Sequence, residues 1–485
     1  MQVQVRRHQQ HDHTIYMQRD RRTAGVTTIF SACALTFENM RSMDVQVQRT
    51  FTIPAPPSEP SAEVLPTVFD LVAPPYHVTV LFAFSPSNPT NAALLDALAD
   101  TLPRFPLLTA RLLERRRAGR PFFLTGRGGA GALVVEATVS SALSDHLPLV
   151  PSPDLARLHP RVDKATPHVL LLQINRFACG GLVIASSAHH QAADGYSMST
   201  FFHAWADAVR STSAPPLALA AVIPYGPGAV VPRRPPRCEF EHRGAEFLPL
   251  DASPRQPPAR VHPSEIANLL LHYTSNFVSE LKARATGNNN TNKYTTFEAV
   301  SAHLWRKITA ARGRAEDPAR TALNVTVNGR ARLGADAVAR GFFGNAVLTA
   351  SSGGTAARDL ARGTLGDAAA MVRAGVRARD RRYFQSFVDF GALHGGGEEE
   401  LEPTVGDEDN VLLPDVAADS WLHLELHRLD FGCGGRLVGI LPAHSPLDGV
   451  VVLIPSLRKE GGVDVFVALW DKHAEVLRDI AYTMD

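Results

Sequence analysis

Apolar residues recur along this chain with two periods, and the two periods alternate. Over 43–51 (MDVQVQRTF), Val45, Val47 and Phe51 alternate with polar residues, the signature of a half-buried strand. A second strand is predicted over 77–84. In 89–106, Leu94, Leu95, Leu98 and Leu102 share one face of a helix that Asn91 can cap and Pro103 ends. Strand-like runs follow at 132–139, 169–175 and 182–188, and the last leads through HHQAADG into a helical stretch at 198–209. The second half repeats the mixture. Helices are predicted near 276–285, over 295–312 and around 356–378, and strands at 323–327, 346–350, 422–428, 436–441 and 448–455.

The remaining segments punctuate this pattern. Residues 1–42 are rich in His, Gln and Arg without helical period and read as a disordered leader, with a transit peptide as the functional alternative. A Pro-rich connector occupies 54–66, and an acidic Gly-rich loop occupies 395–400. Residues 211–262 carry many prolines and few periodic apolar positions, which reads as a long crossover rather than a packed element. The expected fold class is therefore α/β: two similar mixed lobes, 43–210 and 263–485, joined by the crossover 211–262. A cleft between them is the default site.

Composition narrows the function. Of 485 residues, 45% are hydrophobic and 20% charged, so there is ample material for a folded core. Lys plus Arg number 49 against 48 Asp plus Glu, so no overall positive field draws the chain to a polyanion, and nucleic acid is set aside as a partner. Four cysteines, Cys33, Cys179, Cys238 and Cys433, are too few and too scattered for a disulfide framework or a thiolate metal site, which suits a reducing compartment. No apolar run approaches the roughly 18–20 residues that span a bilayer, so neither membrane nor metal is expected.

Gly126, Gly128 and Gly131 spell GxGxxG, but a strand pattern follows where a pyrophosphate-binding helix should begin, so the segment reads as a hairpin turn. In SAHHQAADG, His189 and His190 end an apolar strand, and Asp194-Gly195 turns the chain into a helix, so an imidazole is delivered at a strand end. Two ordinary histidines among nineteen are the bland alternative. A metal site is disfavoured because neighbours on a strand point to opposite faces. The second marked segment, Asp430-Phe431-Gly432-Cys433-Gly434-Gly435, reads as a Gly-rich bulge or turn with a structural cysteine.

HHQAADG and DFGCGG, near the ends of the two halves, together resemble the HxxxD and DFGxG elements of the plant BAHD acyltransferases. Further likeness runs through FPLLTARL at 105–112, TTFEAVSAHLWR at 295–306, VNGRARL at 327–333, GFFGNAV at 341–347 and DSWLHLELHRLDFG at 419–432, and so over nearly all of 44–485. Within the family the likeness is strongest to enzymes that transfer hydroxycinnamoyl groups to amines such as agmatine, putrescine or tryptamine. Cys433 stands where the commonest family form has Trp, and 1–42 has no family counterpart.

The resemblance implies a channel between lobes, with acyl-CoA as co-substrate and a small amine as acceptor, in a cytoplasmic monomer with no bound cofactor. It makes His190 the general base, Asp194 a loop anchor paired with Arg330, and Gly195, Asp430, Gly432 and Gly434 structural. Asp419-Ser420-Trp421 takes the place of a Thr-Ser-Trp triplet, with Trp421 at the substrate site. Asp419, assisted by Asp389, is the expected acceptor recognition site, with solvation or salt-bridging of both acids within the fold as the alternative reading, and Asn345 is a candidate for holding the thioester or oxyanion. An O-acyltransferase of an alcohol and a non-catalytic binding protein of the same fold are the alternatives.

Overall fold

The computed structural model describes residues 43–56, 59–114, 121–211, 221–249, 259–287, 293–394, 401–404 and 414–484. The leader 1–42 and the acidic loop 395–400 lie outside the described residues. The first half contributes β1 (Val45–Ile53), β2 (Ala62–Val64), β3 (His77–Phe84), β4 (Arg111–Glu114), β5 (Pro121–Thr125), β6 (Ala132–Val139), β7 (Leu170–Phe177) and β8 (Leu182–His189). The second contributes β9 (Ile266–Tyr273), β10 (Arg320–Thr321), β11 (Leu323–Asn328), β12 (Val347–Ser351), β13 (Thr355–Ala356), β14 (Val416–Ser420), β15 (Leu437–Pro442), β16 (Val450–Pro455) and β17 (Val463–Trp470).

Two six-stranded mixed sheets organise the molecule, one ordered β1-β6-β7-β8-β3-β15 and the other β12-β11-β14-β16-β17-β9. The α/β class is as expected. In the first sheet only β6 and β7 run parallel; in the second, β14 runs parallel to both β11 and β16. Burial follows position: β1, an edge strand, keeps most of its residues exposed, whereas all eight residues of β8 are buried, which is why its sequence is continuously apolar or small.

One strand crosses the expected division of the chain. β15 belongs to the second half yet pairs antiparallel with β3, completing the first sheet. Its apolar run marks it as a strand but carries no information about which sheet edge it joins. Three local expectations also change. The 422–428 segment forms no strand: β14 stops at Ser420, and the chain turns to bring Leu424 against Gly195, where an added Cβ would meet Leu424 Cδ1 at 3.0 Å. GxGxxG is not a hairpin, because β5 pairs with β2 and β4 while β6 lies in the six-stranded sheet. Those glycines instead permit close backbone passage: a Cβ on Gly126 would lie 2.1 Å from the Pro60 carbonyl oxygen. The helix expected around 356–378 is two, α7 (Ala357–Arg362) and α8 (Leu365–Ala378), because Thr364 and Asp367 form a capping box that starts the second.

The described part of the crossover is more firmly held than its prolines suggest. His242 and Phe247 are fully buried, and Arg233 bonds to Asp389 on α9 (Arg381–His394).

Candidate active site

A cavity of about 1970 Å³ lies between the sheets, lined by β3, β8 and the end of β15 on one side and by β9, β14, β16 and β17 on the other. His190 faces it from the end of β8. The strand holds full register with β3 up to the pair His77–His189, and the next residue begins a single 3-10 turn, His190–Ala192. The His190 N–H donates to the Tyr76 carbonyl at 2.9 Å. Its Nδ1 is sealed without a partner, so Nε2 is the nitrogen left to the cavity.

His189 is a different kind of residue. It is buried edge-on against His77, with ring centroids 5.0 Å apart, and burial followed by the neighbouring His77 and His190 lowers its pKa from 6.5 to about 3. Both effects favour the neutral ring.

Asp194, the last residue of the motif, spends both carboxylate oxygens on partners within the fold. One carboxylate oxygen accepts from the Ser197 N–H at 3.0 Å and so caps α3 (Gly195–Arg210). The other accepts from Arg330 Nη1 at 2.6 Å and from the Ala346 N–H at 3.0 Å. Burial alone pushes the Asp194 pKa up, but Arg330 and these hydrogen bonds outweigh it and the net direction is down. Arg330 also donates to the Ser197 hydroxyl and the Gly344 carbonyl, and its guanidinium lies over the Tyr196 ring at 4.7 Å. The pair thus ties the start of α3 to the loop that precedes β12.

Asp419, at the end of β14, lines the same cavity as His190. It accepts from its neighbour Ser420 N–H at 2.8 Å and from Trp421 Nε1 at 3.3 Å. Among the described residues no Lys or Arg pairs with it. Burial raises its pKa above 3.8, opposed by those hydrogen bonds and by His190. Trp421 and Leu424 form the adjoining wall, and the Ser199 hydroxyl on α3 donates to the Leu424 carbonyl.

Two expected substrate-binding residues are elsewhere. Asp389 is fully buried outside the cavity, where it accepts from the Arg233 and Arg237 N–H groups and pairs with the Arg233 guanidinium. Asn345 is likewise fully buried off the cavity, and its carboxamide donates to Asp70 and to the His190 carbonyl. A carboxylate and a carboxamide of suitable type are visible in sequence; that both would be consumed by contacts with residues some 150 or more positions away is not.

The DFGCGG segment lies off the cavity. Asp430 is exposed and accepts from the Gly432 N–H at 2.7 Å, its carbonyl accepts from Arg210, and Gly432, Cys433 and Gly434 all have positive φ, of 87°, 59° and 83°. Cys179, Cys238 and Cys433 are free thiols. Among the described residues no group of three or more His, Cys, Asp or Glu side chains is placed to hold a metal ion, and no helix is long and apolar enough to cross a membrane.

Solved structures share this architecture. Vinorine synthase matches with a TM-score of 0.63 at 17% identity, covering 89% of this chain and 96% of its own. F. graminearum TRI101 complexed with coenzyme A and deoxynivalenol matches at 0.67 and 16%, covering 86% and 97%. The fold is thus that of the two-sheet acyltransferases. Residues 43–484 match the model of the Transferase family, and the chain belongs to that family, the one its HxxxD and DFGxG motifs resemble. Among curated relatives, tryptamine hydroxycinnamoyltransferase 2 of Oryza sativa subsp. japonica is 37% identical over 86% of this chain and 93% of its own length. Agmatine coumaroyltransferase-1 of Hordeum vulgare is 33% identical over 88% and 94%. Shikimate O-hydroxycinnamoyltransferase of Nicotiana tabacum is 27% identical over 91% and 100%. The chain is an enzyme of acyl transfer.

Proposed function

We propose that this enzyme moves a hydroxycinnamoyl group from coenzyme A to the nitrogen of a small amine, with His190 as base and Asp419 as the site that receives the acceptor's positive charge. The observation that carries the reading is a carboxylate, Asp419, that has no Lys or Arg partner among the described residues and shares the cavity with Nε2 of His190. An alkylamine with a pKa near that of lysine, about 10.4, arrives as an ammonium. A carboxylate without a protein cation suits that charge better than it suits a neutral alcohol, because charge pairing strengthens away from bulk water.

The chemistry follows from the residues. Asp419 holds the ammonium next to His190. The bound ammonium first gives up one proton to water; the neutral amine nitrogen then attacks the thioester carbonyl carbon and loses a second proton to His190 Nε2, so a C–N bond forms and the carbonyl π pair moves to oxygen. Collapse of the tetrahedral intermediate breaks the C–S bond, and the imidazolium returns its proton to the departing thiolate. Proton transfer by a placed imidazole contributes roughly 10²–10⁴ in rate.

The test is release of free coenzyme A from p-coumaroyl-CoA with agmatine, putrescine, tryptamine and shikimate offered separately, beside His190→Ala. Amine-dependent release that the variant loses by about 10²–10⁴ supports the reading. Release with shikimate alone overturns the amine, and undiminished release by the variant overturns the base.

A further inference from the structure

Three segments far apart in sequence meet on the buried side of the His190 peptide. The first is α1 (Val68–Leu71), four residues long, begun by Thr67. Its Asp70 side chain uses its two oxygens for two separate tasks. Oδ2 accepts from the Thr67 N–H at 2.7 Å and the Thr67 hydroxyl at 2.8 Å, which completes the helix cap. Oδ1 takes no part in the cap. It accepts from the Asn345 N–H at 3.0 Å and from Asn345 Nδ2 at 2.9 Å. The second Nδ2 hydrogen of Asn345 goes to the His190 carbonyl at 2.8 Å.

The carboxamide has one workable orientation. Turned over, its oxygen would face a carboxyl oxygen and a carbonyl oxygen, acceptor against acceptor. Asp70 therefore dictates that a donor faces His190. The arrangement also leaves Asn345 Oδ1 buried with no partner, a desolvation cost that an apolar residue would not carry. A side chain kept for packing alone has no need of such a cost. Asp70 is fully buried, no cation pairs with it among the described residues, and burial raises its pKa against the pull of the four hydrogen bonds.

We infer that Asp70 and Asn345 are positioning residues for the base: Asp70 aims the Asn345 carboxamide, which fixes the His190 carbonyl while the Tyr76 carbonyl fixes its N–H. The peptide on both sides of the His190 Cα is then held, and with it the approach of Nε2 to the acceptor. The inference rests on His190 being the base.

The test compares kcat and both KM values of the full chain with those of Asn345→Ala, Asp70→Asn, His190→Ala and the double variant Asn345→Ala/His190→Ala. Leu477→Ala, in the buried face of α10 (Asp471–Ile480), serves as a stability control. Asn345→Ala should lose about ten- to a hundred-fold in kcat, as a small misplacement of a catalytic group does, with both KM values within about three-fold. Asp70→Asn, which keeps an oxygen for one neighbour only, should lose less. The double variant should be no slower than His190→Ala, since Asn345 acts through it. A kcat for Asn345→Ala no lower than that of the control, or a double variant slower than His190→Ala by the full single-variant factor, overturns the inference. Should Asn345→Ala not fold, Asp70→Asn carries the same comparison. Full activity in His190→Ala alone would instead remove the base itself.

Discussion

The two motifs that carry the family resemblance behave as opposites. HHQAADG is held by groups from across the molecule: Tyr76 on one side, and Gly344, Asn345, Ala346 and Arg330 on the other. DFGCGG is held by the Asp430 carboxylate and a run of left-handed backbone, with Arg210 and the Ser85–Asn88 turn beside it, and by the Phe431 ring, buried edge-on against Phe84 and Trp205. The first puts a reactive nitrogen into the cavity, and no residue of the second lines it. Equal recognisability in sequence thus hides unequal roles: one segment is fixed by polar partners that reach the cavity wall, the other by a buried ring and local backbone shape away from it.

The sharpest way to break this contrast is to remove a long-range partner. Arg330→Leu strands the Asp194 carboxylate, whose side chain is only 3% exposed, and should cost about 3–5 kcal/mol of stability in urea denaturation, along with activity. On the other motif, a Cβ on Gly435 would sit 2.5 Å from Asn88 Oδ1 and 2.7 Å from the Ser87 carbonyl oxygen. Gly435→Ala should cost about 1–3 kcal/mol while the folded enzyme keeps its kcat. A fall in kcat at saturating substrate would show that DFGCGG reaches the cavity after all.

Asp419 allows a test with a sign. Its pKa is raised, so the native state holds the proton more readily than the unfolded chain. Its stabilising contribution is then complete below pH 3.8 and is lost as pH rises through the raised value. Asp419→Asn, a mimic of the protonated form, should melt above the wild type at pH 7 and level with it near pH 3.5, while its KM for the amine rises. A variant that melts lower at pH 7 would mean that the carboxylate is paired within the fold. The smallest effect is expected at Cys433, an exposed non-glycine residue at φ 59°. Cys433→Gly should stabilise by about 0.5–1 kcal/mol in the urea midpoint without changing turnover.

What could be read from the sequence divides along the same line. Strand β8 and helix α3 were legible because an apolar run and a capping Asp194 are local signals, and a strand end bearing a histidine is a short-range pattern. Thr67 and Asp70 show the spacing of a capping box, but nothing in TVFD tells that half of the carboxylate serves Asn345, 275 positions later. Asp389 has the right charge for the acceptor, yet Arg233 claims it from the crossover. Leu422, Leu424 and Leu426 alternate like a strand, and only the meeting of Leu424 with Gly195 shows why the chain turns instead. Local chemistry was legible; the choice of distant partner was not.

The exchange of β15 into the first sheet has a consequence for how the enzyme comes into being on the ribosome. β3 waits for a neighbour that is translated about 350 residues later, and the segment that follows β15 supplies cavity wall from Pro442 to Leu447 before β16 returns to the second sheet. Until that stretch has emerged, the nascent first half has an open sheet edge and no enclosed chamber. Completion of the cavity is thereby postponed until nearly the whole polypeptide is made, and separately produced halves would each lack part of its wall.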